Sequence, residues 1–173
     1  MRILGIDPGF GRTGYAVIET GQSLKAIEYG CIETLPHTPN GSRFRDIFEA
    51  VTDVIERHRP DVAAIEQLFF NRNVTTAFTA SEARGVVVLA AELASIQQFS
   101  YTPLQVKMAV VGYGRADKKQ VQEMVRVLLK LPTLPKPDDA ADALAIAITH
   151  AHSYRMAGRV DGGGRTVRGE VQR

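Results

Sequence analysis

Cysteine occurs once in the 173 residues, at Cys31, which excludes a disulfide framework. The lone thiol lies in a stretch that reads as a strand, and it argues for a reducing cytosol. No apolar run approaches the roughly 18 residues of a membrane span. The first residues read directly as a strand, so no signal peptide is expected. His37, His58, His150 and His152 have no cysteine set beside them, which argues against zinc. There is no internal repeat, no P-loop and no G-x-S-x-G elbow, and no histidine sits beside a credible nucleophile. A dominant charge is missing too, the net being only +2. From Arg155 onward five arginines face Asp161 and Glu170, which leaves residues 1–154 at −1. Charge alone therefore does not announce a polyanionic ligand.

What the chain does have is four carboxylates in telling places. Asp7 ends the apolar run RILGID, and Glu66 ends a second one, VAAIEQ. Asp139 and Asp142 start an Ala-rich helical stretch, DDAADALAIAITH. An ionised carboxylate at the end of a buried strand is costly unless something neutralises it. Four that converge would repel one another, and oxygen-only ligands suit Mg²⁺ or Mn²⁺. The chemistry such a cluster serves is phosphodiester hydrolysis.

Hydrophobic patterning predicts an antiparallel meander of three strands, RILGID, GYAVIE and SLKAIEYGCIET. A first helix follows from about Ser42, its expected N-cap, to Arg59, before Pro60 stops it. VAAIEQ is a strand parallel to the first. A second helix covers roughly Val74 to Ser95, with small residues at Ala77, Ala80, Ala83, Gly85, Ala90 and Ala91 that permit close packing within the chain or against a second subunit. QFSYTP is a short strand, and PLQVKMAVVGYG a short helix and loop. Asp117 is the expected cap of a helix from Lys118. The last helix runs from about Asp139 to Tyr154. The predicted architecture is α/β, a mixed sheet with helices on both faces. One domain spans residues 1–154, and residues 155–173 form a Gly/Arg-rich tail expected to be disordered. Asp7 and Glu66 would then lie side by side at the edge where ligands gather in such sheets.

Other motifs fit around that edge. The Phe69–Phe70 pair in LFFNRN, beside Arg72, suits stacking on an unpaired base. Lys107, Arg115, Lys118 and Lys119 cluster in sequence and suit phosphate contacts. Helical periodicity alone does not choose between Asp138 and Asp139 as the partner of Asp142. Asp138 follows Pro137 and is expected to cap the helix, which favours Asp139 as the ligand.

GIDPGFGRTGYAVIE on its own resembles the first strand–turn–strand of two groups that share the ribonuclease H-like fold. These are polynucleotidyl transferases and actin-like ATPases, and the chain is too short for the duplicated lobes of the second. With AAIEQLFFNRN, TPLQVKMAVVGYGRADKKQVQ and DDAADALAIAITH, the whole pattern resembles the bacterial Holliday-junction resolvase family, RuvC, over residues 1–152. The resemblance implies a ribonuclease H-like fold with a five-stranded mixed sheet. It implies a cytoplasmic homodimer that nicks opposed strands of a four-way junction, leaving 5′-phosphate and 3′-hydroxyl ends, in recombination and repair. It maps the catalytic and metal-binding acids onto Asp7, Glu66, Asp139 and Asp142. It maps the stacking aromatic onto Phe69, and phosphate contacts onto Lys107 and Lys118. Two Mg²⁺ ions per subunit are expected, with Mn²⁺ able to substitute, and the branch-migration complex RuvA–RuvB is the expected partner. The rival readings are a junction-binding module without catalysis and an actin-like phosphate-binding domain.

Overall fold

The computed structural model describes residues 1–67 and 74–161, with side chains at 1–67 and 78–154. Strands β1 (Arg2–Asp7), β2 (Arg12–Thr20) and β3 (Leu24–Glu33) form the expected antiparallel meander. Then follow α1 (Asn40–His58), β4 (Val62–Glu66), α2 (Val74–Leu93), β5 (Gln97–Tyr101), α3 (Pro103–Val111), α4 (Lys118–Leu128) and α5 (Asp138–Asp161). The sheet order is β3-β2-β1-β4-β5. β4 pairs parallel with β1, and β5 with β4. Among the described residues no helix is long and apolar enough to cross a membrane.

Alternation along β1 divides the core. Leu4 and Ile6 face α1 and α2, where Ile47, Val51, Ala83, Val87 and Ala90 bury them. Ile3 faces the opposite layer of α3, α4 and α5, with Val106, Val121, Val125, Leu144 and Ile148. Side chains two apart share a sheet face. Asp7 therefore follows Ile3, and Glu66 follows Val62 and Ala64, toward the α5 side. Both acids are thus aimed by strand parity alone.

Helix α5 lies directly on β1 and β2 because two glycines remove the side chains in its way. A Cβ on Gly5 would overlap the carbonyl oxygen of Ala143, and one on Gly14 would overlap that of Asp139. The helix answers with alanines, Ala140, Ala143 and Ala147 all being fully buried. This contact brings the start of α5 over the ends of β1 and β4.

Several boundaries differ from the sequence reading. α1 starts at Asn40, so Ser42 is not its cap. The extended backbone of Pro39 begins the helix, and its carbonyl accepts from the Ser42 and Arg43 amides at 3.0 and 3.2 Å. Arg59 closes α1 in a left-handed conformation just before Pro60. Asp117 caps α4 as expected, and Thr102 caps α3, each reciprocated by a glutamine in a capping box. Asp138 does not cap α5. The Ala140 and Ala141 amides donate to the Pro137 carbonyl at 3.0 and 3.4 Å, so Asp138 is already inside the first turn. α5 also continues to Asp161, past the expected end at Tyr154. Of the small residues in α2, Ala83, Ala90 and Ala91 are buried within the chain, whereas Gly85 is exposed.

Candidate active site

The β1–β2 turn is held rigidly where it leaves Asp7. Thr13, fully buried, donates its hydroxyl to the Gly9 carbonyl at 2.7 Å. Arg43 reaches over from α1, its guanidinium 3.7 Å from the Phe10 ring centroid. It also donates to the Phe10 carbonyl at 3.2 Å and to the Thr34 hydroxyl at 2.8 Å. On the other strand, Arg84 of α2 donates to the Glu66 main-chain oxygen at 3.1 Å and to the Ser100 hydroxyl at 2.8 Å. Neither arginine was legible as a site element, because each acts on a main-chain oxygen far away in sequence.

Asp7, Glu66 and Asp142 line one cleft of about 200 Å³, together with Lys107, Lys118 and the apolar Val106, Val121 and Ile146. Burial pushes Asp7 up to about 8, reinforced by the charges of Glu66, Asp142 and Asp139. Burial raises Glu66 as well, with Asp7 and Lys118 pulling it down and Asp142 adding to the rise. Asp142 is raised by burial against the pull of Lys118. The Lys118 ammonium lies 3.0 Å from Asp142 and 3.5 Å from Asp138. Burial alone would lower Lys118, but those carboxylates outweigh it and raise the pKa.

The two adjacent acids of α5 diverge. Asp138 is largely exposed, accepting from Gln122 at 3.0 Å on the α4 side. Asp139 turns toward β2 and the acid cluster, where its charge acts on Asp7. Arg12 Nε lies 3.2 Å from Asp139 Oδ2, close enough for an ion pair. The contact is not aligned as a hydrogen bond, and Oδ2 is buried without a donor.

As they stand, no three acids, histidines or cysteines among the described residues close on one point as metal ligands would. The donor set nevertheless fits a hard divalent cation. Its members are all carboxylates, one oxygen is buried and unsatisfied, and Asp7 is pushed well above the ordinary carboxylate range. Those features suit a multiply charged cation, which would neutralise the crowded carboxylates.

Lys107 lines the cleft as a phosphate contact would, whereas Lys119 is exposed at the start of α4 and does not line it. Phe69 and Arg72 lie outside the described residues, as does 162–173 of the tail. Arg12, which no motif singled out, is brought to the site by the crossing of α5 over β2.

Comparison with known proteins gives a consistent picture. A family model described as crossover junction endodeoxyribonuclease RuvC matches residues 3–150. The crossover junction endodeoxyribonuclease RuvC of Brevibacillus brevis is 56% identical over 152 residues, which cover 87% of this chain and 92% of the relative. That of Rubrobacter xylanophilus is 53% identical over 156 residues, covering 90% and 87%. Among solved structures, Thermus thermophilus RuvC in complex with a Holliday junction substrate aligns with a TM-score of 0.87 at 38% identity, covering 91% of this chain and 96% of that one. The yeast mitochondrial Holliday junction resolvase Ydc2 aligns with a TM-score of 0.63 at 14% identity, covering 93% and 85%, a likeness of fold alone. The ribonuclease H-like fold read from the sequence is the one observed.

Proposed function

The chain belongs to the RuvC family of crossover junction endodeoxyribonucleases, and from that premise we propose that it resolves four-way DNA junctions by hydrolysing phosphodiesters in the acidic cleft. The observation that carries this reading is the meeting of Asp7, Glu66 and Asp142 with Lys107 and Lys118 in one cleft at the sheet edge. Asp7, Glu66, Asp139 and Asp142 are the residues that would hold Mg²⁺, two ions per subunit, with Mn²⁺ able to substitute. Such an ion supplies an activated water near neutral pH and neutralises charge on the leaving oxygen. The residues themselves set where this happens. Strand parity fixes Asp7 and Glu66 side by side, and the Gly5 and Gly14 contacts fix the height of the α5 acids above them. The apolar floor of Val106, Val121 and Ile146 limits water access. Lys107 and Lys118 bind the phosphates of the cut strand, and Lys119 extends that contact from the start of α4. Phe69 stacks on a base unpaired at the crossover, with Arg72 beside it. Cleavage leaves 5′-phosphate and 3′-hydroxyl ends, which a ligase can seal.

Two such sites related by a dyad match the approximate two-fold symmetry of a four-way junction, and a homodimer supplies them. The exposed face of α2, with Phe78, Gly85, Leu89 and Leu93, is the dimer surface in this reading. The enzyme works in the cytoplasm with the branch-migration complex RuvA–RuvB, during recombination and repair. The nuclease domain takes in all of α5, to Asp161, and a Gly- and Arg-rich tail follows it. Incubation with a synthetic four-way junction, with Mg²⁺ or with EDTA, tests the proposal. Paired symmetric nicks that need Mg²⁺ and are absent on linear duplex are expected. An intact junction in Mg²⁺ would overturn it.

A further inference from the structure

The two α5 acids are each met by a side-chain cation, one from α4 and one from β2. Lys118 approaches Asp142 from α4, and Arg12 approaches Asp139 from the start of β2. The Arg12–Asp139 pair is uneven. The Arg12 side chain is 58% exposed and that of Asp139 only 20%. The charge on Arg12 is therefore the more solvent-facing of the two, beside a carboxylate whose own charge acts on Asp7. The contact at 3.2 Å also leaves the buried Oδ2 without a hydrogen bond. The guanidinium neutralises charge there without completing the coordination. Among the described residues no other cation forms an ion pair with Asp139.

A multiply charged cation in the cleft would compete for that unsatisfied oxygen. Once Asp139 turned to it, Arg12 would lose its partner beside the acids that would act on a phosphodiester. Its planar fork of N–H donors matches phosphate oxygens. We propose that Arg12 is a counter-ion that changes partners, holding Asp139 in the metal-free protein and contacting the phosphates of the cut strand once a divalent cation takes that carboxylate. The inference rests on the junction-cleaving reading of the site and adds a residue to it. It has a thermodynamic consequence. Metal and Arg12 compete for one carboxylate, whereas metal and DNA help each other to bind, because each relieves a charge the other leaves exposed.

Two measurements on wild type, Arg12→Gln and Arg12→Lys test this. The first is Mn²⁺ binding without DNA, followed by electron paramagnetic resonance. Arg12→Gln should bind Mn²⁺ roughly fivefold tighter, the fold-change expected when a competing exposed ion pair is removed. Arg12→Lys should stay near wild type, since it restores the charge. The second is affinity for a four-way junction over a range of salt, in Ca²⁺ and in EDTA, with strand integrity checked on a denaturing gel. In Ca²⁺ the salt slope of Arg12→Gln should fall by about one, and in EDTA it should not change. Mn²⁺ affinity that is equal or weaker in Arg12→Gln overturns the exchange. A slope that changes equally in both conditions overturns it too, since Arg12 would then be a DNA contact independent of metal. A wild-type protein that leaves the junction uncut in Mg²⁺ defeats the cleavage reading itself. A wild type that cuts, with unaltered Mn²⁺ binding in Arg12→Gln, defeats only the exchange.

Discussion

A carboxyl held at about 8 by burial and three acidic neighbours, as Asp7 is, costs the fold stability wherever it must ionise. The native state keeps a proton that the unfolded chain, with its ordinary value of 3.8, has given up. Metal-free protein should therefore lose stability as pH rises from about 4 to about 8. Asp7→Asn removes the titrating group. In EDTA its melting temperature should match or exceed that of wild type at pH 8, and fall less between pH 5 and pH 8, although junction cleavage is lost and junction binding kept. A wild type and variant that melt in parallel across that range would contradict the account. Glu28 works in the opposite sense. Hydrogen bonds from Arg57, then His58 and Tyr15, hold it down at about 2. Its contribution is present above about pH 4.5 and is lost as pH falls toward 2. At the α5 start, Asp139→Asn should abolish nicking and Asp138→Asn should keep it. Asp138→Ala should cost under about 1 kcal/mol, since it loses exposed contacts to Gln122 and Lys118 rather than a helix cap. Nicking rates and melts of the three variants, run together, decide the assignment.

At the level of elements, the close seat of α5 on β1 and β2 is the contact on which the cleft depends. Gly14→Ala would drive a methyl into the Asp139 carbonyl, a backbone atom with no easy escape. About 1–3 kcal/mol of stability should be lost, with cleavage falling further than the melt predicts because Asp139 and Asp142 are lifted off the strand acids. An unchanged nicking rate would show that the helix has room to shift. Thr102→Ala, at the α3 capping box, should cost about 1 kcal/mol in a denaturant melt and leave cleavage nearly intact. Such elements were legible to different degrees. The order of strands and helices was readable because each run carries its own period and punctuation, and the strand acids stood out because carboxylates rarely end apolar runs. Ser42 misled because Asn40 and Gly41 are poor helix formers, yet the backbone of Pro39 starts the helix before them. Asp138 misled because Pro137 supplied the carbonyl that sets the first turn. The pairing of Arg12 with Asp139, and of Arg84 with the Glu66 carbonyl, was hidden because it exists only after distant elements have packed.

For the whole molecule, the exposed apolar face of α2 and the site are joined through Arg84. Leu89→Glu, at the centre of that face, should yield a monomer in sedimentation and convert paired nicks into rare single ones. A charged dimer that still cuts both strands would move the interface elsewhere. The acids themselves come from both ends of the chain, Asp7 and Glu66 early and the α5 pair late. A chain ending at Pro137 should show no cooperative melt, since α5 supplies the centre of the core on one face of the sheet. During synthesis, then, the strand acids leave the ribosome long before the helix that completes them. An unfinished copy carries half a cleft on an uncovered sheet. The cleft is complete only once α5 has been made and has settled on the sheet.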